Sequence, residues 1–277
     1  MLLLCSGAAS AGLFDNLQRL ADPNSNERKM LSGATQVLSS AKEMDYPTER
    51  TIGESLALEG LQRFGKPVSN EKLQQYVNEV GNAVAANSKR PTIPYQFAIL
   101  DSNVQNAFAV PGGVIFVSKE LLGVVENEAE LAGVLAHEVG HVAGKHALST
   151  IRRTQFLQGA ATITAANMKG DKGKQFESVI GDLQSVVFDK GLDKNMEFEA
   201  DAAAVETTYR TGYDPRGLVN VLKKLQKIEA SSVKKGSWFS THPPLNERIA
   251  RMEAQLKKYP DAATLARVPE RFAKQVR

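Results

Sequence analysis

Residues 126–145 read ENEAELAGVLAHEVGHVAGK. The stretch has the marks of a strong helix. Asn127 is a candidate N-cap, and Glu128 and Glu130 fall in the first turn, where negative charge complements the helix dipole. Leu131, Val134, Leu135, Val139 and Val142 make it apolar enough to be expected in a core, where an unpaired polar side chain is costly. Yet it carries His137-Glu138-Val139-Gly140-His141, an H-E-x-x-H pattern. Residues four apart on a helix share a face, so His137 and His141 can present two imidazole nitrogens to one ion at ~2.0–2.1 Å. Zinc is the metal expected, because imidazole suits it and a catalytic zinc takes three protein ligands plus water. Glu138, beside the first ligand, can take a proton from that water as it attacks an amide carbonyl. Gly140 costs the helix about 1 kcal/mol relative to alanine, tolerable if backbone or substrate must come close there.

A third ligand has to come from another segment. Glu197-Phe198-Glu199-Ala200-Asp201 opens a later helix. Glu197 and Asp201 share a face of it and Glu199 points away. Glu197 is the candidate third ligand. Asp201 is the candidate carboxylate behind a ligand histidine, accepting its free N–H and fixing its tautomer. Spacing alone equally fits an acidic first turn that only complements the helix dipole.

Working outward, Asn26–Met44 reads as a weakly amphipathic helix. A second helix opens at Pro47-Thr48-Glu49, with Thr48 as N-cap and Gly65 followed by Pro67 as the stop. Ser69 can cap a third, whose Leu73, Tyr76, Val77, Val80 and Val84 recur at helical spacing. After Arg90-Pro91-Thr92-Ile93-Pro94 the period changes. Tyr95–Leu100, Ala107–Val110 and Val114–Val117 are short apolar runs parted by turn residues, a small sheet. Ala147–Lys194 is helical in composition and broken by Lys169-Gly170-Asp171-Lys172-Gly173-Lys174. This suggests a helical hairpin with a mobile tip, and 145–195 is a candidate lid. Helices follow over Asn195–Arg210, closed by Gly212 and Pro215, then Leu218–Ile228 and Pro244–Leu256. Helices, a short sheet and more helices argue for one α+β domain over 26–258, with 259–277 a C-terminal tail.

Composition sets limits. The chain has 277 residues, 42% hydrophobic and 23% charged, enough for a sizeable core. Lys plus Arg number 34 and Asp plus Glu 31, too balanced to argue for nucleic acid. One cysteine excludes an intramolecular disulfide framework and any multi-cysteine zinc knuckle. Only four histidines exist, so their positions are informative. Met1–Ala11, MLLLCSGAASA, is apolar and then small, and Ala9-Ser10-Ala11 has the form of a secretory cleavage site. Residues 1–25 are therefore read as a signal-like or lipoprotein-like start and linker, with Cys5 the residue a lipid anchor would use. No later run reaches the ~18–20 apolar residues a membrane span needs.

With H-E-V-G-H followed by E-F-E-A-D, the chain resembles the HtpX-like and CAAX-prenyl-protease-like zinc enzymes of peptidase family M48, in particular their soluble periplasmic BepA- and LoiP-like branch. Asn106-Ala107-Phe108-Ala109-Val110-Pro111-Gly112-Gly113 is similar to the family's N-A-F-A-x-P-G-G segment, and His242-Pro243-Pro244-Leu245-Asn246-Glu247-Arg248 to its H-P-P-x-x-x-R segment. Leu73-Gln74-Gln75-Tyr76-Val77-Asn78 is similar to the upstream helix of the periplasmic members. The resemblance covers roughly Thr48–Leu256. It implies a mainly helical gluzincin catalytic domain with a small mixed sheet beside the active-site helix. It implies one Zn2+ per chain held by His137, His141 and Glu197, with Glu138 as base. His242 and Arg248 would then stabilise the oxyanion, or His242 would close the site as a fourth ligand. His146 is expected to cap or pack near the helix end, with no metal role.

The resemblance also implies an extracytoplasmic, most simply periplasmic, metalloendopeptidase acting on unfolded or misassembled envelope polypeptides. The rival is a chaperone-like assembly factor whose zinc site is closed by His242. The membrane members carry transmembrane helices that this sequence lacks, and the repeat module of some periplasmic members has no counterpart after Leu256. Ala107–Val110 is expected to be an edge strand to which an extended peptide adds by main-chain hydrogen bonds, making Asn106, Ala107, Phe108 and Ala109 candidate substrate-binding residues.

Overall fold

A computed structural model describes residues 44–150, 180–229, 238–242 and 245–276. The signal-like start, the expected helix over 26–43 and the tip of the expected lid lie outside the described residues. Met44, at the end of that expected helix, is buried in non-helical chain.

Helix α1 spans Tyr46–Phe64 and α2 spans Glu71–Ala85. Their caps sit elsewhere than expected. The Asp45 carboxylate accepts the Thr48 N–H, and the Asn70 side chain accepts that of Leu73. Each helix therefore starts where an Asx side chain can reach a free N–H two or three residues on. Gly65 ends α1 as expected, its N–H bonded to the Leu61 carbonyl.

Three strands follow: β1 (Gln96–Leu100), β2 (Ala107–Val110) and β3 (Val114–Ser118). Their order is β1-β3-β2, with β1 parallel and β2 antiparallel to β3, so β2 is an edge strand of a small mixed sheet. Both faces are covered. Phe97, Ile99, Ile115 and Val117 join the main core, while Ala98, Leu100, Phe116 and Phe108 join a second cluster with Ile52 and Leu56 of α1. Double burial is why the strands read as continuous apolar runs rather than alternating ones.

Ser118 caps the short α3 (Lys119–Leu122). Asn127 then caps α4 (Glu128–Ala143), accepting the Glu130 N–H. Every residue of α4 from Glu128 to Val142 is buried, its apolar side chains in the core and its histidines and acids enclosed with them. It packs against α2, β2, α5 (Lys194–Thr211) and α6 (Gly217–Glu229). Gly212 closes α5 in the left-handed conformation, φ 92°. A π-helical turn at Ser185–Lys190 precedes α5, and α7 (Trp238–Thr241) and α8 (Leu245–Leu256) follow α6.

The segment read as a tail returns to the core. Its helix α9 (Pro269–Val276) buries Phe272 in the main cluster, and Arg271 pairs with buried Glu128 at the start of α4. Tyr76 and Tyr213 also donate to Glu128, so the first turn of the central helix is pinned from three directions. No described helix is long and apolar enough to cross a membrane.

Candidate metal centre

Three elements meet at the middle of α4. That helix supplies His137, Glu138 and His141, α5 supplies Glu197 and Asp201, and the segment joining α7 to α8 supplies His242, with Arg248 from α8. Their meeting depends on Gly140. A Cβ there would lie 3.1 Å from Ala200 Cα and 3.2 Å from its carbonyl oxygen. The missing side chain lets α5 lie close enough to bring Glu197 to the histidines, which is the near approach anticipated for this glycine.

His137 Nε2 and His141 Nε2 are 3.0 Å apart, and the Glu197 oxygens lie 3.5 Å from the first and 3.4 Å from the second. Donors on a tetrahedron with bonds near 2.1 Å are separated by about 3.4 Å, so these spacings match one shared ion. His242 completes a set of four residues whose donor atoms lie within 4.8 Å of one another, all buried. Neither Glu197 oxygen has a hydrogen bond, although Arg248 Nη1 stands 3.2 Å from one of them. A fully buried carboxylate with both oxygens short of hydrogen bonds fits a cation in addition to Arg248.

Electrostatics agree with the donor set. Burial and Arg248 pull the His137 pKa down, but Asp201 and Glu197 outweigh them and hold it up at about 9. A position that favours a proton so strongly favours a metal cation that would replace it. Burial and the neighbouring His137 push His141 well below its ordinary value, and His242 is lowered the same way, leaving both neutral with lone pairs to give. Burial raises Glu138 to about 7, against the pull of His137. Its Oε1 has no hydrogen bond and lies 3.8 Å from His242 Nε2.

Asp201 Oδ1 lies 3.0 Å from His137 Nδ1. Despite burial, Arg248 holds this carboxylate down at about 2. The Arg248 guanidinium is itself inaccessible. Its Nε and Nη2 donate to Asp201 at 2.8 and 2.7 Å, and Nη1 donates to the His242 carbonyl at 2.7 Å and faces Glu197. Nη2 also faces the His137 ring. These bonds brace Asp201 and the His242 backbone and set the guanidinium beside Glu197.

Of the expected substrate strand, Phe108 is a core side chain, 3% exposed, stacked on Phe116 and edge-on to Phe188. It cannot offer its ring to solvent as a docking surface without repacking that cluster. Asn106 is buried too, its N–H bonded to Ser118 Oγ. Phe108, Ala109 and Val110 of β2 nonetheless line a pocket together with Glu138, His141 and His242.

Two participants escaped the sequence reading. Trp238, the chain's single tryptophan, is buried with its ring edge-on to His137 and beside His242 and Arg248. His146 Nδ1 lies 2.9 Å from His141 Nδ1. All four histidines of the chain therefore gather at one place. Their scarcity was the available signal, while Trp238 stands in no motif that sequence reasoning could use.

The model of peptidase family M48 matches residues 71–256. The beta-barrel assembly-enhancing protease of Yersinia pestis is 30% identical over 203 residues, which cover 69% of this chain and 41% of that protein. The mitochondrial metalloendopeptidase OMA1 of Schizosaccharomyces pombe is 26% identical over 65% of this chain and 52% of its own length. The metalloprotease YcaL of Escherichia coli strain K12 is 27% identical over 59% and 63%. The first of these matches spans about two fifths of its relative's length. The family match spans α2 to α8, the same elements that build the buried His-His-Glu-His cluster, and the chain belongs to peptidase family M48.

Proposed function

We propose that this chain is a zinc-dependent metalloendopeptidase that hydrolyses peptide bonds with Glu138 as general base. The observation that carries the reading is the buried cluster of His137, His141 and Glu197 beside a Glu138 carboxylate oxygen that has no partner. One zinc per chain, held by those three residues, would supply Lewis acidity and lower the pKa of a water toward ~7. The protein's groups supply the rest. Glu138, buried beside the donor cluster with one oxygen free of hydrogen bonds, can accept a proton and return it to the leaving amine. His242, neutral and 3.8 Å from Glu138, can donate to charge developing on the carbonyl oxygen if its ring turns from the donor cluster. Asp201 holds His137 in the tautomer that leaves Nε2 free, and Arg248 holds Asp201.

The substrate is proposed to be polypeptide in extended form. β2 lies at the sheet edge and its Phe108, Ala109 and Val110 line the pocket that Glu138 also lines, which supports strand addition by main-chain hydrogen bonds. Recognition through backbone favours unfolded chains over particular side chains. Misassembled envelope proteins are the proposed substrates and the periplasm the proposed site of action, a reading in keeping with the name of the Yersinia pestis relative, a beta-barrel assembly-enhancing protease. Of the candidate lid 145–195, residues 151–179 lie outside the described residues, and the described Val186, Val187 and Leu192 line this pocket, which supports the reading.

A second reading has its own observation. His242 stands inside the donor cluster, so it can serve as a fourth ligand. The chain would then be a chaperone-like assembly factor whose closed site rarely cuts. Cleavage of casein by wild type and Glu138→Gln, with metal content measured for both, separates the two. We expect zinc in both proteins and a loss of activity in the variant of ~100-fold or more. Chelation should abolish wild-type cleavage and added zinc restore it. A zinc-loaded wild type that never cuts, together with a glutamine variant that works normally in cells, would establish the assembly factor instead.

A further inference from the structure

We propose that His146 and Glu199 are positioning residues for the metal centre, forming a relay that orients His141 as a ligand. The inference rests on the metal-site reading above. His141 has two ring nitrogens. Nε2 faces His137 and Glu197 where the ion would sit, and Nδ1 lies 2.9 Å from Nδ1 of His146. Two imidazole nitrogens that close can share only one proton. An ion on Nε2 needs the lone pair there, so the proton belongs on His141 Nδ1 and is donated to His146. His146 must then carry its own proton on Nε2, which points at Glu199 Oε2, 3.2 Å away. Each tautomer follows from the one before, and the chain of donors ends on a carboxylate.

The backbone is shaped to make this contact. After α4 the chain turns at Gly144, and Lys145 adopts φ 53°, the left-handed region that side chains disfavour. That turn brings His146, five positions beyond His141, back over the helix end. At Gly144 a Cβ would lie 2.2 Å from His146 Nε2, so the imidazole occupies the space a side chain would fill. Thr150 Oγ1 donates to the His146 carbonyl and steadies the turn. A residue that only filled space or capped a helix would not need a left-handed lysine, an adjacent glycine and a nitrogen aimed at a ligand's back. Strain gathered at one such point is a reason to look for function.

The test is zinc affinity, measured by competition with a chromophoric chelator, on the whole chain. His146→Leu keeps the volume and removes the acceptor; a 10–100-fold rise in zinc Kd is expected. His146→Gln can still accept from His141 and donate to Glu199, so it should recover most of that loss. Gly144→Ala should weaken binding by displacing the ring. With cobalt in place of zinc, the visible absorption bands should shift in the leucine variant and less in the glutamine one. Unchanged zinc affinity in His146→Leu overturns the proposal, as does equal weakening in the leucine and glutamine variants. Should the leucine variant fail to fold, Gly144→Ala decides, and wild-type affinity there overturns the proposal. A wild-type chain that binds no zinc would bring down the metal-site reading itself. Wild-type binding with an unaffected His146→Leu would bring down the relay alone.

Discussion

His137 and His141 stand one turn apart on the same helix, yet the groups behind them differ in burial, charge and reach. Behind His137 is Asp201, 2% exposed, clasped by an Arg248 that is wholly buried. Behind His141 is another imidazole, His146, and beyond it Glu199, whose side chain is 74% exposed. One support is a charge pair sealed in the core. The other runs from the core to the surface through a neutral ring. A buried pair is costly to break, because the remaining charge has no water to turn to. An exposed carboxylate has solvent as an alternative partner and contributes little by itself.

The largest effect should come from breaking the buried support. Arg248→Ala leaves Asp201 and Glu197 without their counter-charge, and unfolding in denaturant should show a loss of roughly 3–5 kcal/mol. A loss under about 1 kcal/mol would mean the pair is not sealed from water, and the contrast with Glu199 would vanish.

Overpacking the helix contact that both supports depend on ranks next. Gly140→Ala sets a methyl group against the Ala200 backbone. It should cost about 1–3 kcal/mol in the same measurement and weaken zinc binding as Glu197 is pushed out. Undiminished affinity would show that Glu197 reaches the site by other means.

Removing only the charge separates the two flanks directly. Asp201→Asn should weaken zinc binding by about 10–100-fold. Glu199→Gln, at the exposed end, should weaken it by no more than about fivefold, the equivalent of ~1 kcal/mol. Equal losses would erase the asymmetry. The finest distinction is salt. At an ionic strength of ~1 M, where screening acts over about 3 Å, the Glu199→Gln deficit should shrink while the Asp201→Asn deficit stays. A salt-sensitive Asp201 deficit would place that carboxylate in contact with solvent.

The same asymmetry governs what could be read in advance. His137, Glu138 and His141 were legible because helical periodicity alone puts them on neighbouring positions of one face. Glu197 and Asp201 were legible as a pair for the same reason, though which histidine Asp201 serves was not. Gly140 was legible as a close approach but not as an approach to Ala200. The caps of α1 and α2 were missed by a few residues because Asp45, Thr48, Ser69 and Asn70 are all competent caps and packing chooses among them. The partners of Arg248 were not legible, because Asp201 and the His242 carbonyl that take its hydrogen bonds come from separate segments of the chain. The burial of Phe108 was not legible because the aromatic cluster it enters is assembled from Phe64, Phe116 and Phe188, far apart in the chain.

The amino-acid sequence by itself determined the α+β class, the central apolar helix, and the two short patterns that bear the histidines and the acids, because each depends only on spacings within one element. Tertiary structure alone decided that Glu197 meets the histidines, that Arg248 bonds Asp201, that the last helix folds back onto Glu128, and that His146 turns toward His141. Those outcomes depend on how helices approach one another and where the chain reverses, and no local period encodes a distance between elements.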